Sequence, residues 1–238
     1  MIDSFVALDL ETTGVSAASD RIIEVGMVRV TGGRIDGEYN RLVYPGFEIE
    51  QRITDLTGIT NEMVAGRPQI SELVPEILEF MGDLPLLGHN IIFDYGFLKK
   101  AVVNTGRTFE KTGIDTLKIA RRILPPEQKK NLDVLCGYFG IDAGNSHRAF
   151  DDARSAMELY FKLYQVNPLD FGFEKAQELT FAVKKESPVT PAQKRYIKAL
   201  LQFHNLQSRC DIDMLTKSQA SKMIDSIIGE FGKLPPAY

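Results

Sequence analysis

Residues 5–14 constrain the fold of this chain more than any other stretch. The four apolar residues 5–8 predict a short buried β-strand. Asp9 and Glu11 follow with one residue between them, so an extended backbone places both carboxylates on the same side. Two such acids repel each other unless a hard cation such as Mg²⁺ or Mn²⁺ lies between them. The alternative is a solvated acidic turn, because Asp-x-Glu alone is a weak signal.

The composition is that of a globular protein with a sizeable core, at 44% hydrophobic and 25% charged residues. The length of 238 residues is enough for one α/β domain plus an appendage. A net charge of −4 argues against a protein whose entire surface binds nucleic acid. From Glu174 onward, 10 Lys and Arg face 7 Asp and Glu, a net charge of +3, which leaves −7 on the preceding residues.

The two cysteines, Cys136 and Cys210, lack metal-ligand spacing and fit a reduced compartment. The first residues show no signal-peptide pattern. No apolar run approaches the roughly 18 residues that span a bilayer. We therefore expect a cytoplasmic protein that does not associate with membranes.

The hydrophobic pattern predicts both strands and helices along the chain. A Gly32-Gly33 turn joins predicted strands at 21–30 and 38–43, and this early hairpin indicates a mixed sheet. Residues 53–60 predict two small capped turns. Further strands are predicted at 84–87 and 114–117, and helices at 70–81, 91–103, 117–124, 131–139 and from about 149 onward.

Other acids follow these elements. Asp94 falls in the first turn of the helix at 91–103, where the helix dipole favours an acid even without a function. His147 precedes the last long helix, and Asp152 lies five residues on, so both side chains can border one cavity. Asp151 points roughly 100° away from Asp152 around the helix axis.

Four acids on three separate segments, together with one histidine, fit hydrolysis of a phosphodiester. They are Asp9, Glu11, Asp94 and Asp152, with His147. Four carboxylates can anchor two divalent ions, which polarise the phosphodiester and stabilise the leaving oxygen. His147, near its natural pKa, is suited to take a proton from the attacking water. These residues leave open the polarity of the reaction and the choice between DNA and RNA.

The chain resembles the DEDDh 3′–5′ exonucleases, the family that includes the proofreading subunit and proofreading domain of bacterial DNA polymerase III. The resemblance covers about residues 2–166 and rests on three motifs in family order: Asp9-Leu-Glu-Thr-Thr-Gly, His89-Asn-Ile-Ile-Phe-Asp and His147-Arg-Ala-Phe-Asp-Asp-Ala. The spacing of the third motif selects Asp152 over Asp151.

The resemblance implies an α/β, RNase H-like fold with a mixed five-stranded sheet flanked by helices. It implies two divalent metal ions, Mg²⁺ or Mn²⁺, with Asp9 bridging both, Glu11 and Asp152 on the nucleophile's metal and Asp94 on the other. The terminal nucleotide is expected against the first two motifs, at Thr12, Thr13, Gly14, His89 and Asn90.

The expected activity is hydrolysis of single-stranded DNA 3′ ends to nucleoside 5′-monophosphates, in proofreading, repair or end trimming. One alternative is an exoribonuclease that trims RNA 3′ ends or degrades short oligonucleotides, because the 2′-OH is read by local contacts. Another is an idle nucleic-acid-binding module on the same fold. The family also suggests a polymerase as partner.

Beyond the resemblance, we predict an exonuclease domain at 1–170, a linker at 171–187 and a small helical module at 188–238. Capping boxes beginning at Thr190 and Thr216 each open one amphipathic helix of this module. The module is expected to bind nucleic acid or a partner protein. Residues 177–181 are distantly similar to the motif that binds the sliding clamp, although Leu179 and Phe181 can equally pack within the chain.

Overall fold

A computed structural model of the chain describes residues 1–145, 147–183, 185–208 and 210–235. Its strands are β1 Phe5–Thr12, β2 Ile22–Thr31, β3 Arg34–Leu42, β4 Leu86–Gly88, β5 Thr112–Asp115 and β6 Gln177–Glu178. Within the described ranges they form one mixed sheet in the order β3-β2-β1-β4-β5-β6. β1, β4 and β5 are mutually parallel, whereas β2, β3 and β6 each pair antiparallel with their neighbours. The predicted mixed α/β sheet is therefore present.

The sheet has six strands where five were predicted. The additional strand, β6, has two residues and pairs with β5 through Thr112 opposite Glu178 and Gly113 opposite Gln177. It comes from the segment predicted as a linker. A two-residue strand has no recognisable hydrophobic period, and its pairing partner lies more than 60 residues earlier in the sequence. Local sequence patterns could not reveal it.

The helices are α1 Gln51–Thr57, α2 Asn61–Val64, α3 Ile70–Met81, α4 Ile92–Asn104, α5 Thr116–Ile123, α6 Leu132–Phe139, α7 Ala149–Val166, α8 Pro191–Phe203 and α9 Lys217–Phe231. Of the two turns predicted at 53–60, the first is part of α1 and the second is the capped start of α2. Gly58 ends α1 in the left-handed conformation, and the Thr60 hydroxyl caps α2 by accepting from the Met63 N–H.

The central strand β1 explains why the acids come where they do. Val6 and Leu8 point into a core that α3 and α4 cover, and Phe5 and Ala7 into a core that α5, α6 and α7 cover. Side chains two residues apart share a face of a strand. Asp9, which follows in the same alternation as Phe5 and Ala7, therefore projects toward the layer that contains α7.

The C-terminal helices α8 and α9 share a core of their own, separate from the two cores of the sheet. Its buried side chains include Val189, Ile197, Leu200, Ala220 and Ile227. Both predicted capping boxes are present, and an isolated bridge between Pro188 and Thr216 ties the two helix starts together. The module faces the α1 region across a cleft of about 710 Å³.

The segment between α7 and α8 lies on the sheet domain. Leu179 is buried against Gly113, where an added Cβ would lie 2.8 Å from the leucine side chain. Phe181 packs on Gly96 of α4 in the same manner, at 2.7 Å. The two apolar side chains of the clamp-like motif thus pack within the chain. In the described residues, no helix has the length and apolar character needed to cross a membrane.

Candidate active site

Asp9 and Glu11 lie within β1, because the strand continues to Thr12 and does not end at residue 8 as predicted. Glu11 is buried at 9% exposure, and across the β1–β2 pair it stands opposite Glu24. An acid at this depth in a central strand must be compensated or protonated, since burial disfavours its charged form.

Asp94 is brought to β1 by the first turn of α4. Its side chain is buried, and its Oδ1 accepts a hydrogen bond of 3.0 Å from the Leu10 N–H. This bond fixes the carboxylate between Asp9 and Glu11 along the strand. β4 ends at Gly88, where a Cβ would lie 3.0 Å from the Leu8 carbonyl oxygen. Glycine therefore permits the close approach of β4 to β1 at this point.

Asp152 lies in the first turn of α7, with His147 in the preceding loop. His147 has a positive φ of 63°, and its backbone N–H donates to Asp152 Oδ2 at 3.2 Å. The other oxygen of Asp152, Oδ1, is buried and has no hydrogen-bond partner among the described residues. Ligand atoms of Glu11, His147 and Asp152 all lie within 4.8 Å of one another.

The electrostatics of the four acids agree with a cation site. Burial raises the pKa of Asp9 well above its usual range, and repulsion from the neighbouring carboxylates raises it further. Burial likewise raises the pKa of Asp94. Burial and the nearby Asp152 raise the pKa of Glu11 to about 8, and burial raises that of Asp152 to about 6. Such a cluster favours a divalent cation, which restores the charged carboxylates.

The donor set fits a hard divalent ion. Carboxylate oxygens are the ligands that Mg²⁺ and Mn²⁺ prefer, and the unpartnered Oδ1 of Asp152 is available for one. The four predicted acids converge, as their mutual effects on the pKa of Asp9 require. A ring nitrogen of His147, the expected general base, lies within 4.8 Å of carboxylate oxygens of Glu11 and Asp152.

Comparison with known proteins places this site in a family. Residues 6–160, which include all five predicted catalytic positions, match the RNase_T exonuclease family. The chain belongs to this exonuclease family.

Two curated relatives show how far the similarity extends. The exonuclease chain is 39% identical over 163 residues to DNA polymerase III subunit epsilon of Aquifex aeolicus, which covers 68% of this chain and 81% of that protein. It is also 39% identical over 176 residues to the PolC-type DNA polymerase III of Clostridium perfringens, covering 74% of this chain. This chain spans only 12% of the PolC-type protein's length.

Solved structures show the same fold. Exonuclease X in complex with 5′ overhanging duplex DNA is 25% identical, with a TM-score of 0.57, and the match covers 69% of this chain and 93% of that one. Escherichia coli exonuclease I in complex with a dT13 oligonucleotide is 19% identical, with a TM-score of 0.63, over 72% of this chain and 43% of that one. The second likeness shows the fold alone.

Sequence reasoning missed the ion pair that positions the third motif in this exonuclease. Glu24 is fully buried, and its carboxylate accepts from Arg148 Nε at 3.1 Å and from a second guanidinium nitrogen at 2.6 Å. The Ala149 N–H, at the start of α7, donates to the same carboxylate at 3.0 Å. A signal was available, because Glu24 is the only acid of β2 and lies between the apolar residues Ile23 and Val25.

Gly26 completes this arrangement. A Cβ at Gly26 would lie 2.1 Å from the Ala149 carbonyl carbon, so glycine lets α7 start in direct contact with β2. The first turn of α7, which carries Asp152, is therefore held by the sheet through a charge pair and a backbone contact.

The proposed nucleotide contacts lie where β1 ends. The Thr12 hydroxyl donates to the Gly14 carbonyl at 2.7 Å, and the Thr13 hydroxyl accepts from the Arg21 N–H at 2.9 Å. Gly14 does not have a positive φ, so its backbone conformation does not require glycine. Its role is instead steric, because a Cβ there would lie 2.6 Å from Asp20 Oδ2, which the Ser16 N–H holds in place.

His89 and Asn90, the two residues of the second motif that were predicted to contact substrate, differ in how accessible their side chains are. Both ring nitrogens of His89 are engaged, Nδ1 with the Thr116 hydroxyl at 2.9 Å and Nε2 with the Lys130 carbonyl at 2.6 Å. A carbonyl only accepts, so Nε2 carries the proton, and burial lowers the pKa of this histidine. Asn90 is exposed, with a φ of 74°. Substrate contacts by these residues stay predictions.

Proposed function

We propose that this protein is a metal-dependent 3′–5′ exonuclease that removes nucleoside 5′-monophosphates from the 3′ ends of single-stranded DNA. The observation that carries the proposal is the convergence of four carboxylates from β1, α4 and α7, with raised pKa values, on one end of the sheet. Acids that repel one another this strongly indicate a cation site in a nuclease of this family.

Asp9, Glu11, Asp94 and Asp152 would hold two Mg²⁺ or Mn²⁺ ions. When bound, such ions neutralise the clustered carboxylates and polarise the scissile phosphodiester. The Leu10 N–H keeps Asp94 facing the strand, and the His147 N–H keeps one oxygen of Asp152 occupied while the other faces the site. The chain thus presents its acids in a fixed arrangement before substrate arrives.

His147 is proposed as the general base. It sits on the loop before α7, and its ring lies beside Glu11 and Asp152. A neutral imidazole can take a proton from an attacking water and later release it to solvent. Thr12, Thr13, Gly14 and Asn90 are proposed to contact the terminal nucleotide. His89 is proposed to stabilise the turn between β4 and α4, since both of its ring nitrogens already form hydrogen bonds within the chain.

We propose DNA as the substrate because the relatives include DNA polymerase III subunits and an exonuclease solved with overhanging duplex DNA. The second candidate is an exoribonuclease on the same site. A polymerase is the proposed partner, by analogy with the same relatives. The packing of Leu179 and Phe181 argues against clamp binding through residues 177–181. Free Cys136 and Cys210 are consistent with action in the cytoplasm.

A parallel time course on 5′-labelled single-stranded DNA, duplex DNA and RNA tests the proposal. We expect a ladder that shortens from the 3′ end of single-stranded DNA with Mg²⁺ or Mn²⁺, and none in excess EDTA. Asp9→Asn, which keeps the side-chain shape, is the control for contaminating nucleases. Faster loss of RNA would favour the exoribonuclease. Binding without any cleavage would indicate an idle nucleic-acid-binding module.

A further inference from the structure

The loop that joins β1 to β2, residues 13–21, accepts hydrogen bonds from a buried ammonium group. Lys100 of α4 has a side chain that is only 10% exposed. Its Nζ donates to the carbonyl oxygens of Ala17 at 2.6 Å and Ala18 at 2.8 Å. A lysine this far from water must be paired, because the desolvation of an isolated ammonium is costly.

The pairing acid comes from outside the family match. Glu186, in the segment before α8, places Oε1 2.5 Å from Lys100 Nζ and Oε2 3.2 Å from the Arg21 guanidinium. Asn104 fixes it on both sides, since its amide donates to Oε2 at 3.3 Å and its Oδ1 accepts from the Glu186 N–H at 3.0 Å. One carboxylate therefore joins two cations.

Both cations hold the β1–β2 loop. The Arg21 guanidinium donates to the Asp20 carbonyl at 3.2 Å. The Arg21 backbone closes the loop, because the Thr13 N–H donates to the Arg21 carbonyl at 2.8 Å and the Arg21 N–H donates to the Thr13 hydroxyl at 2.9 Å. Lys100 holds its middle through the two carbonyls. Without Glu186, the Lys100 ammonium and the Arg21 guanidinium would lose their shared partner and repel each other at the base of this loop.

We propose that Glu186 is a positioning residue of the exonuclease, which holds the β1–β2 loop in the conformation that receives the terminal nucleotide. The proposal rests on the proposed function, because the loop carries Thr13 and Gly14. It also extends the catalytic unit beyond residue 160, where the family match ends, to residue 186. β6, Leu179 and Phe181 fix the path by which the chain delivers Glu186 to the loop.

The test compares full-length variants with wild type on a 5′-labelled single-stranded oligonucleotide. Glu186→Gln keeps the volume and removes the charge, and Lys100→Met removes the other half of the pair. For Glu186→Gln we expect KM to rise about 10-fold, equivalent to about 1.4 kcal/mol, with kcat within about 2-fold. The double variant should cost no more than Lys100→Met, because the two side chains act as one unit.

Glu174→Ala is the matched control, since it removes an exposed glutamate from the same segment at a position outside β6. Hydrogen exchange of the amides at 15–20 gives a readout without substrate. We expect faster exchange there in Glu186→Gln and no change in β1 or β2.

Two results would overturn the inference. One is a KM for Glu186→Gln and for Lys100→Met that equals the control, with unaltered exchange at 15–20. The other is faster exchange spread evenly over the sheet, which would indicate a general loss of stability. If wild type degrades no single strand yet Glu186→Gln loosens the loop, the proposed function fails while the positioning role of Glu186 stands.

Discussion

At the scale of single residues, His147 and Asp9 have separable roles. His147→Ala should lower kcat by roughly 10²–10⁴-fold, the usual range for a positioned general base. Asp9→Ala should instead weaken Mn²⁺ binding, because it removes one of the four clustered carboxylates. Calorimetric titration with Mn²⁺ beside steady-state kinetics separates the two effects. Loss of a metal in His147→Ala with full binding in Asp9→Ala would make His147 a ligand and reverse the assignment.

Glu11 should make the metal-free protein sensitive to pH. Its pKa in the folded protein is about 8, against an ordinary value of 4.5, so the folded state holds this proton more tightly than the unfolded state. The stabilising contribution is present below pH 4.5 and is lost as pH rises toward 8.

We therefore expect the Tm of wild type in EDTA to fall, relative to Glu11→Gln, between about pH 5 and pH 8. The glutamine does not titrate and serves as the reference. Added Mg²⁺ should abolish the difference in slope. Parallel Tm curves for the two proteins in EDTA would contradict the pKa shift.

The four clustered acids could be proposed from sequence because each motif is local. Asp9 and Glu11 are two residues apart, and His147 and Asp152 are five apart, so a strand or a helix turn brings each pair together. Glu24 and Arg148 are 124 residues apart, and Lys100 and Glu186 are 86 apart. No spacing rule connects such residues, and only the folded chain shows their contact.

At the scale of elements, the start of α7 depends on the buried pair between Glu24 and Arg148. Arg148→Met should destabilise the fold by about 3 kcal/mol, because it leaves a buried carboxylate without its charge partner. It should also lower kcat by shifting Asp152. Combining it with Glu24→Gln should recover part of the stability, since both charges are then gone.

The matched control lies on the same helix. Arg154 pairs with Glu158 on the exposed face of α7, at 3.3 Å. Arg154→Met should cost less than about 0.5 kcal/mol, as exposed pairs of this spacing do. Urea denaturation measures all four proteins. Equal costs for Arg148→Met and Arg154→Met would show that the buried pair has no special role in positioning α7.

Helices were easier to predict than strands in this chain. The apolar period of α3 gave its bounds at Ile70 and Met81, and the two capping boxes gave the starts of α8 and α9. β1 was predicted too short, because its last residues are acids that hydrophobicity alone does not assign to a strand. Their retention in the sheet depends on the backbone pairing with β2.

At the scale of the whole molecule, the C-terminal module is proposed as a basic grip on single strands. A chain shortened after Ser187 keeps Glu186 and should keep its kcat on a short oligonucleotide. It should bind long strands more weakly, with a shallower dependence of affinity on salt, because fewer counterions are released. Fluorescence anisotropy at several salt concentrations measures both quantities.

Point variants separate this grip from loss of the module. Arg195 and Lys198 are exposed on α8, and replacing both with glutamine should reduce the salt slope. Arg34→Gln, at the exposed start of the edge strand β3, is the control and should leave the slope unchanged. An unaltered slope in both the shortened chain and the α8 variant would rule out the module as a nucleic-acid grip and leave docking on the exonuclease domain or on a partner protein.

The order of strands in the sheet also has a consequence for synthesis on the ribosome. β1 can pair with β2 soon after the first 31 residues emerge, but β5 keeps an open edge until β6 arrives at residues 177–178. Asp152 and Glu186 come comparably late. The nascent chain thus carries Asp9 and Glu11, two of the four clustered acids, long before it can hold a substrate. A chain that has not yet reached Asp152 is therefore inert, and the edge of β5 stays open to other strands until residues 177–178 have been made.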